Sequence, residues 1–402
     1  MKETYGIFKK FAADNHYSLL TKAVNSAFTT RDTASTMKKL SEENGHGGCI
    51  VIKDGICYTT YMAIQKGGSD SPYNSGLTLM FAKFSLERAE AEDFDAKKDV
   101  TYHLIGKTGS EFLGHKAVSN LKCPSMYLAG EDIYICFNLQ TEEGYFQMFR
   151  IVYSIKTDTF GREKLMKVRY RGKLYDFNDE TTNMIYVDKG LPRNMRTQVE
   201  LVAQWSEYRG EYYTTYVLGG HIPNNGLVIK TGDFETVEVV SILPENRNGS
   251  AEASSYIFKD KLYVACRQNW TLPYMLIMRY DLEKEMWTEA YQVEDANARP
   301  WFFVYKDELY LYNTIEEGMR RYANISKVRV SDVAHNKKNA PIDTVATIFD
   351  CGNTPVMSVY QDRIYMICTH EHQIWFGELK LKQYSEEAVN NRLMQLFDGL
   401  EE

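Results

Sequence analysis

The chain has 402 residues, a net charge of −7 and 44% hydrophobic residues, which is typical of a globular protein. The acidic balance argues against a nucleic-acid-binding surface, because such a surface needs a basic face. No run of 18 apolar residues occurs, so the sequence predicts no membrane span. The length exceeds that of one compact core, and a repeat architecture escapes this limit because each unit packs on its neighbours.

Residues 1–45 have a weak apolar pattern and are predicted to form a helical or irregular N-terminal extension or cap. The first residues lack the apolar core of a signal peptide. The seven cysteines are scattered without a CxxC pair, which predicts buried, reduced thiols. The sequence therefore predicts a cytoplasmic protein, with a component of a phage particle as the alternative.

A β-hairpin with the same sequence pattern occurs six times after residue 46: a strand, a polar turn and a second strand with a central tyrosine. These tyrosines are Tyr58, Tyr134, Tyr213, Tyr263, Tyr310 and Tyr365. Their intervals are 76, 79, 50, 47 and 55 residues. Intervals near 50 match one four-stranded propeller blade.

The two longest intervals have two explanations: insertions within blades, or a further degenerate hairpin at Arg171–Tyr175. The sequence predicts an all-β, six-bladed β-propeller over residues 46–383, with seven blades as the alternative. A β-sandwich would not explain six copies of one hairpin. Residues 384–402 are predicted to form a C-terminal helix, since Ser385 suits an N-cap and Val389, Leu393 and Phe397 share one face.

Polar residues are dense where a propeller would open its central channel. Inner strands surround that channel, so binding residues are expected just before the first strand or just after the second strand of a blade. This rule selects His46, Tyr61, Asn120, Asn138, Gln198, His221, Glu252, Arg267, Gln268, Arg299, Asn313, Asn353, His370 and His372. Histidine suits proton transfer because it titrates near neutrality. The competing explanation is that channel mouths are wet and tolerate polar residues in any propeller.

Glu252 and Arg267 are predicted to face each other across the fourth hairpin, and Arg299 enters the next blade. Two arginines at one mouth predict an acidic ligand, because a guanidinium group can hold a carboxylate by two parallel hydrogen bonds. The alternative is an arginine–carboxylate pair that only ties adjacent blades together.

These features resemble the sialidase-like propellers, also described by their BNR or Asp-box repeats. In sialidases a glutamate at the start of the fourth blade's hairpin polarises the tyrosine nucleophile, and an arginine at its end binds the sialic acid carboxylate; Glu252 and Arg267 stand in those places. The chain departs from the family at Gly45–Gly48, where Arg-Ile-Pro is expected, and at Gly352–Thr354, where the tyrosine is expected. The Asp boxes are eroded to Ser154–Gly161 and Asp281–Trp287.

The resemblance implies a carbohydrate-active protein, in the first place a glycoside hydrolase-like enzyme acting on an acidic glycan. Its catalytic candidates are Glu252, His46 and Tyr61. The substrate-binding candidates are Arg267, Arg299, Asn138, His221, Asn313, Asn353 and His370. No cofactor and no metal are predicted, and the expected partner is a carboxylate-bearing carbohydrate.

Three other functions stay open. A second resemblance is to propellers that cleave uronic-acid polysaccharides as lyases, with a histidine, a tyrosine and an arginine near the channel. A non-catalytic propeller that binds a glycan or a receptor is the next alternative, with Trp205, Trp270 and Trp301 on its rims as sugar-stacking surfaces. The last is a protein-interaction scaffold.

Overall fold

The computed structural model describes most of the repeat region. The described residues are 37–41, 44–64, 77–193, 198–200, 204–219, 226–244, 250–268, 274–294, 297–315, 322–328, 342–349, 355–370 and 373–379. Residues 1–36 and the helix predicted within 384–402 lie outside them. The domain boundaries at residues 46 and 383 therefore stay predictions.

The described strands form six sheets, and five of these are blades that each use one continuous stretch of chain. After β1 (Lys38–Lys39), blade 1 contains β2 (Gly45–Lys53), β3 (Ile56–Ile64), β4 (Leu77–Ser85) and β5 (Thr101–Lys107), with helices α1 (Leu86–Glu90) and α2 (Ala96–Asp99) between the last two. Blade 2 contains β6 (Glu111–Phe112), β7 (His115–Ala129), β8 (Asp132–Thr141), β9 (Phe146–Ser154), β10 (Thr159–Phe160) and β11 (Lys164–Leu165).

Blade 3 is the largest and contains β12 (Lys167–Tyr170), β13 (Lys173–Asp176), helix α3 (Asp179–Asp188), β14 (Gln198–Glu200), β15 (Ser206–Tyr208), β16 (Glu211–Gly219), β17 (Gly226–Thr231) and β18 (Thr236–Ile242). Blade 4 contains β19 (Ser250–Phe258), β20 (Lys261–Gln268), β21 (Tyr274–Asp281) and β22 (Met286–Glu294). Blade 5 contains β23 (Asn297–Tyr305), β24 (Glu308–Ile315), β25 (Tyr322–Val328) and β26 (Ile342–Phe349).

The remaining sheet, here called the composite sheet, joins the two ends of the chain. It contains β27 (Val356–Tyr360), β28 (Arg363–His370) and β29 (Gln373–Leu379), and β29 pairs with β1. Lys38 lies opposite Phe376 and Lys39 opposite Trp375 in antiparallel register. Strand β1 thus comes from the segment that the sequence assigns to an N-terminal extension.

The inner strands are β2, β7, β19, β23 and β27, and in blade 3 this position is taken by β14 and β15, which pair with β16. Strand β2 contacts β7 on one side and β27 on the other, and β23 contacts both β19 and β27. The prediction of an all-β propeller is therefore confirmed. Five continuous blades differ from the six or seven that the repeat predicts, because the last repeat takes its outer strand from the start of the chain.

The central tyrosines share one position in this architecture. Each lies on the strand that pairs with the inner strand of its sheet, and several contact the following sheet. The ring of Tyr58 lies 5.9 Å from that of Tyr153 in blade 2, and Tyr134 stacks on Phe234 of blade 3 at 4.4 Å. Such aromatic pairs add specific geometry to the apolar burial between blades.

The long intervals between tyrosines arise from insertions. The hairpin at Arg171–Tyr175 forms, but its strand β12 pairs in parallel with β18 and so extends the edge of blade 3. The alternative of a seventh blade is therefore wrong. Helices α1 and α2 lengthen the first interval, and α3 lengthens the second.

The described cysteines are core residues. Cys49, Cys57, Cys136, Cys266 and Cys368 are buried free thiols. Burial raises the pKa of Cys136 to about 12, which keeps that thiol protonated at neutral pH. The expectation of buried, reduced thiols holds for these five.

Tryptophans assigned to a sugar-binding rim lie instead between the sheets. Trp205 is buried and donates from its indole Nε1 to Ser125 Oγ of blade 2 at 3.1 Å. Trp301 is buried and donates to the Met357 carbonyl of the composite sheet at 3.0 Å. The rim assignment is wrong for both, because an indole with a satisfied N–H packs well in an apolar interface. Trp270 lies outside the described residues.

Gln204 ties three blades together through its buried side-chain amide. Its Nε2 donates to the Phe302 carbonyl of blade 5 at 2.6 Å, and the Phe302 N–H donates to its Oε1 at 3.2 Å. Ser254 of blade 4 donates to the same Oε1 at 3.1 Å. The side-chain amide thus donates to and accepts from the Phe302 backbone, as the backbone of a neighbouring strand would.

Replacing Gln204 by Leu tests this connection. The change leaves buried polar groups of Phe302 and Ser254 without partners, each costing about 1–3 kcal/mol. We expect the free energy of unfolding to fall by about 3 kcal/mol, measured by urea denaturation. The control is Glu207→Leu, at an exposed side chain of the same blade. An equal loss in both variants would contradict the cross-blade role.

The hairpin turns of blades 4 and 5 place two non-glycine residues in the left-handed region. Lys259 and Asp260 have φ values of 49° and 61°, and Lys306 and Asp307 have 49° and 58°. The turn of blade 1 uses glycine at the second position, where Gly55 has φ 74°. A type I′ hairpin turn requires positive φ at both central residues. Asp tolerates positive φ better than β-branched residues do.

Substitutions at Asp260 measure this demand. We expect Asp260→Val to lower the free energy of unfolding by about 1–2 kcal/mol, because a β-branched residue resists the left-handed region. Asp260→Gly should stay within about 0.5 kcal/mol of wild type. Urea denaturation of both variants, with Glu238→Val at an exposed strand position as control, gives the comparison. A tolerated valine at residue 260 would exclude the type I′ requirement.

Candidate functional site

The inner strands of blades 1, 4 and 5 carry a β-bulge where they begin, as β7 of blade 2 does, and these bulges place the candidate site residues. The register shifts between His46 and Gly48 in β2, between Ser250 and Ala253 in β19, and between Asn297 and Trp301 in β23. The bulged segments contain Gly47, Glu252 and Arg299. A bulge re-aims a side chain out of the regular pleat, which is why bulges recur beside functional sites.

Gly47, Glu252 and Arg299 occupy one repeat position. Each lies four residues before the residue that pairs with the central tyrosine of its blade, at Val51↔Tyr58, Tyr256↔Tyr263 and Phe303↔Tyr310. The architecture therefore brings these three positions to the same edge of the inner strands, here called the channel mouth.

The carboxylate of Glu252 joins both arginines of the predicted site. Its Oε2 accepts a hydrogen bond from Arg267 Nη1 at 3.2 Å and from the backbone N–H of Arg299 at 3.0 Å. The first contact closes the hairpin of blade 4, and the second reaches blade 5. The structure brings Glu252, Arg267 and Arg299 together at this edge, where the sequence predicts that they meet.

Arg299 has an unusual backbone. Its φ is 45°, in the left-handed region that non-glycine residues seldom adopt. It also precedes Pro300, and a residue before proline is normally extended. Backbone strain of this kind persists only where the surrounding structure holds it, and it concentrates at functional sites.

The guanidinium of Arg299 lies against Gly47 of blade 1. A Cβ atom at Gly47 would lie 2.6 Å from Arg299 Nη1 and 3.3 Å from the methyl carbon of Met62. Gly47 itself has φ 63°. The absence of a side chain at residue 47 thus makes room for an arginine that reaches past the composite sheet.

The electrostatics of this cluster favour an anion. Arg267 and Arg299 are 3% and 4% exposed, and the Glu252 side chain is 14% exposed. The Arg267 guanidinium pairs with the Glu252 carboxylate, whereas Arg299 binds that carboxylate only through its backbone N–H. In the part of the chain that the structure describes, Arg299 Nε and Nη2 are buried without a hydrogen-bond partner. Buried charge is costly until it is paired and hydrogen-bonded, so an anion that accepted from these atoms would be stabilised.

Two further candidates flank Gly47. His46 precedes it in β2 and lies opposite Met62, and Tyr61 lies opposite Gly48. His46 is half-buried and Tyr61 is buried. Both residues are therefore at the edge that the Arg299 guanidinium reaches.

Asn138 and Asn313 lie at the ends of second strands, as predicted. Asn138 is buried four residues after the central tyrosine of blade 2, the position that Arg267 occupies in blade 4. Asn313 is buried opposite Asn324 in β25. His370 ends β28 opposite Gln373, and its side chain is not among those described. His221 and Asn353 lie outside the described residues.

Gly47 is the residue that sequence reasoning missed. In the sequence it lies within Gly45–Gly48, the segment that stands where Arg-Ile-Pro is expected. The available signal was a Gly-Gly pair inside a strand pattern, which marks a bulge or a close approach of backbone to another group. Which group approaches could not be read from blade 1 alone.

Two features are absent among the described residues. These residues contain no group of three or more His, Cys, Asp or Glu side chains placed to hold a metal ion. None of the helices among them is long and apolar enough to cross a membrane.

Similarity to known proteins is confined to the fold. No family model matches the chain, and no curated protein matches its sequence. The sialidase of Trypanosoma rangeli superposes with a TM-score of 0.53 at 10% identity, over 89% of this chain and 57% of that one. The NanB sialidase of Streptococcus pneumoniae gives 0.51 at 8% identity, over 86% and 70%. A Dyadobacter fermentans protein of unknown function gives 0.54 at 11% identity, over 86% and 100%.

At such identities the likeness establishes a sialidase-like propeller architecture and nothing finer. This chain spans 57% of the length of the T. rangeli sialidase chain. Another structure of the T. rangeli enzyme is a complex with sialic acid.

Gly47→Ala tests whether Arg299 needs the space beside Gly47, and Gly130→Ala is the matched control. Gly130 has φ 62°, nearly that of Gly47, but nothing lies within 4 Å of its Cβ position. Both variants carry the backbone strain, about 1–2 kcal/mol for a left-handed L-residue. Only Gly47→Ala also displaces the Arg299 guanidinium, so its free energy of unfolding should fall further by about 1–3 kcal/mol.

Urea denaturation of both variants measures the difference. Equal losses at residues 47 and 130 would show that strain alone acts and that Arg299 does not need the space.

Proposed function

We propose that the channel mouth between blades 1, 4 and 5 binds a carboxylate-bearing glycan, and that the chain is a divergent sialidase-like protein that processes it as a glycoside hydrolase. The observation that carries the proposal is the buried guanidinium of Arg299, whose Nε and Nη2 have no hydrogen-bond partner among the described residues. These two atoms point the same way on a planar guanidinium, so they suit the two oxygens of one carboxylate. Arg267, which donates to Glu252, adds a second positive charge to the cluster.

The finding that supports a sugar as the ligand is the architecture. The T. rangeli sialidase with the same fold has been captured with sialic acid, a sugar acid. At 10% identity this supports acidic glycans as the first ligands to test and does not select among them.

His46 and Tyr61 are the proposed proton-transfer groups. They flank Gly47, which the Arg299 guanidinium touches, so a sugar held by its carboxylate would lie beside them. Retaining hydrolysis needs a nucleophile and an acid close together, and a tyrosine can replace the nucleophilic carboxylate. Asn138, Asn313, His221, Asn353 and His370 remain proposed contacts to sugar hydroxyls.

His46, Tyr61 and Arg299 also suit a second reaction, lyase cleavage of a uronic-acid polysaccharide. Abstraction of the proton next to a carboxylate requires a base, an acid for the leaving oxygen and a cation that neutralises the carboxylate. His46 and Tyr61 lie on β2 and β3 beside Gly47, which the Arg299 guanidinium approaches, and the three residues have those three capacities.

We also propose that the composite sheet is the sixth blade of the ring. Its inner strand β27 packs between β2 and β23, and Ser358 lies opposite Tyr365 in the register of the other blades.

Binding and turnover by wild type and Arg299→Lys test the proposed function. Lysine keeps the charge but loses the fork of two N–H donors. We expect affinity for an acidic glycan to fall about 10- to 100-fold, since charge-assisted bonds of this kind contribute about 1.5–3 kcal/mol. Affinity for a matched neutral glycan should not change. Arg279→Lys, on β21 of blade 4, is the control.

The panel contains sialyllactose, lactose, and oligomers of glucuronate and galacturonate, with calorimetry for binding and product analysis for turnover. Released sugar supports the hydrolase, and an unsaturated uronate supports the lyase. Binding without turnover supports a lectin. If no acidic glycan binds, the proposed function is wrong.

A further inference from the structure

We propose that Glu252 is a positioning residue that sets the conformation of Arg299, and that it does not transfer protons. The inference rests on the proposed function, because Arg299 matters there as the carboxylate-binding group. It replaces the expectation that Glu252 is a catalytic acid or base.

The first argument is the use of one carboxylate oxygen. Glu252 Oε2 accepts from both Arg267 Nη1 and the Arg299 backbone N–H, at 3.2 Å and 3.0 Å. Both donors belong to the protein framework of blades 4 and 5. Oε2 is thus committed to the framework, whereas an oxygen that transfers a proton points at the reacting atom of the substrate.

The second argument is the backbone of the bulge in β23. Asn297 and Trp301 have ladder partners in β24, whereas the residues between them have none. Pro300 carries no N–H, so Arg299 supplies the backbone donor nearest to Trp301 within the bulge. That donor finds its acceptor in Glu252, which therefore compensates for the hydrogen bond that the bulge removes from the ladder.

The third argument connects this bond to the guanidinium. Arg299 stays at φ 45° although it precedes proline, and the hydrogen bond from its N–H to Glu252 is a contact from another blade that can hold this conformation. In that conformation the guanidinium reaches Gly47 in blade 1. An extended residue 299 would direct the side chain elsewhere, because rotation about φ changes the direction of the Cα–Cβ bond relative to the strand.

The comparison of Glu252→Gln with Glu252→Asp separates positioning from proton transfer. Glutamine keeps the side-chain length and an acceptor oxygen for the Arg299 N–H, but it cannot act as an acid or base. Aspartate keeps the carboxylate but is one methylene shorter, so it cannot reach both donors. Positioning predicts that Glu252→Gln retains ligand affinity and turnover within about tenfold, while Glu252→Asp loses more. Proton transfer predicts the reverse order.

The probes are N-acetylneuraminic acid and D-glucuronic acid for affinity, and whichever panel glycan is turned over for kinetics. The pH profile of kcat/KM should keep its shape in Glu252→Gln. Loss of turnover in Glu252→Gln with unchanged affinity would overturn the proposal, and this outcome decides the matter even if Glu252→Asp does not fold.

A readout without ligand keeps the inference separate from the proposed function. Phenylglyoxal modifies accessible arginines, and peptide mass spectrometry gives the rate at Arg299, with Arg279 of the same molecule as internal reference. We expect Glu252→Asp to raise the relative rate at Arg299 by about tenfold, and Glu252→Gln to leave it within about threefold of wild type. An unchanged rate in a folded Glu252→Asp variant would overturn the positioning role, even where no acidic glycan binds.

Discussion

The antiparallel register of the first two strands is the constraint from which the channel mouth follows. In every sheet the central tyrosine marks a common position in the pairing of these two strands. In blades 1, 4 and 5 the bulge lies just before the regular pairing begins. The same offset from that pairing gives glycine in blade 1, glutamate in blade 4 and arginine in blade 5. The same structural position thus serves three purposes. Glycine leaves space, glutamate accepts hydrogen bonds, and arginine extends a positive charge towards another blade. A repeat fold can build an asymmetric site in this way without altering its strands.

Contacts between the sheets keep these positions aligned. Aromatic rings meet across blades 1, 2 and 3, while Gln204, Trp205 and Trp301 bond to groups of neighbouring sheets. These polar contacts are buried, so a sheet that moved would leave donors and acceptors unsatisfied. Rigidity of this kind is what a strained residue such as Arg299 requires of its surroundings.

The sequence was sufficient for the propeller and for the Glu252–Arg267 pair, since both depend on local alternation and on spacing within one hairpin. It was insufficient for features that depend on distant partners. The pairing of β1 with β29 joins residues more than three hundred positions apart, and two lysines carry no strand signal of their own. The burial of Trp205 and Trp301 depends on neighbouring sheets. Gly47 is meaningful only beside Arg299, which a different blade supplies.

The composite sheet has a consequence for the order of events during synthesis. Strand β1 is translated before all five blades, whereas its partner β29 follows the last of them. The ring cannot close until β27 has followed blade 5, so the inner edges of blades 1 and 5 stay uncovered until then. Contacts this distant in sequence slow folding. Before β27 is made the blades form an open arc, and this is when chaperones would find apolar surface to bind.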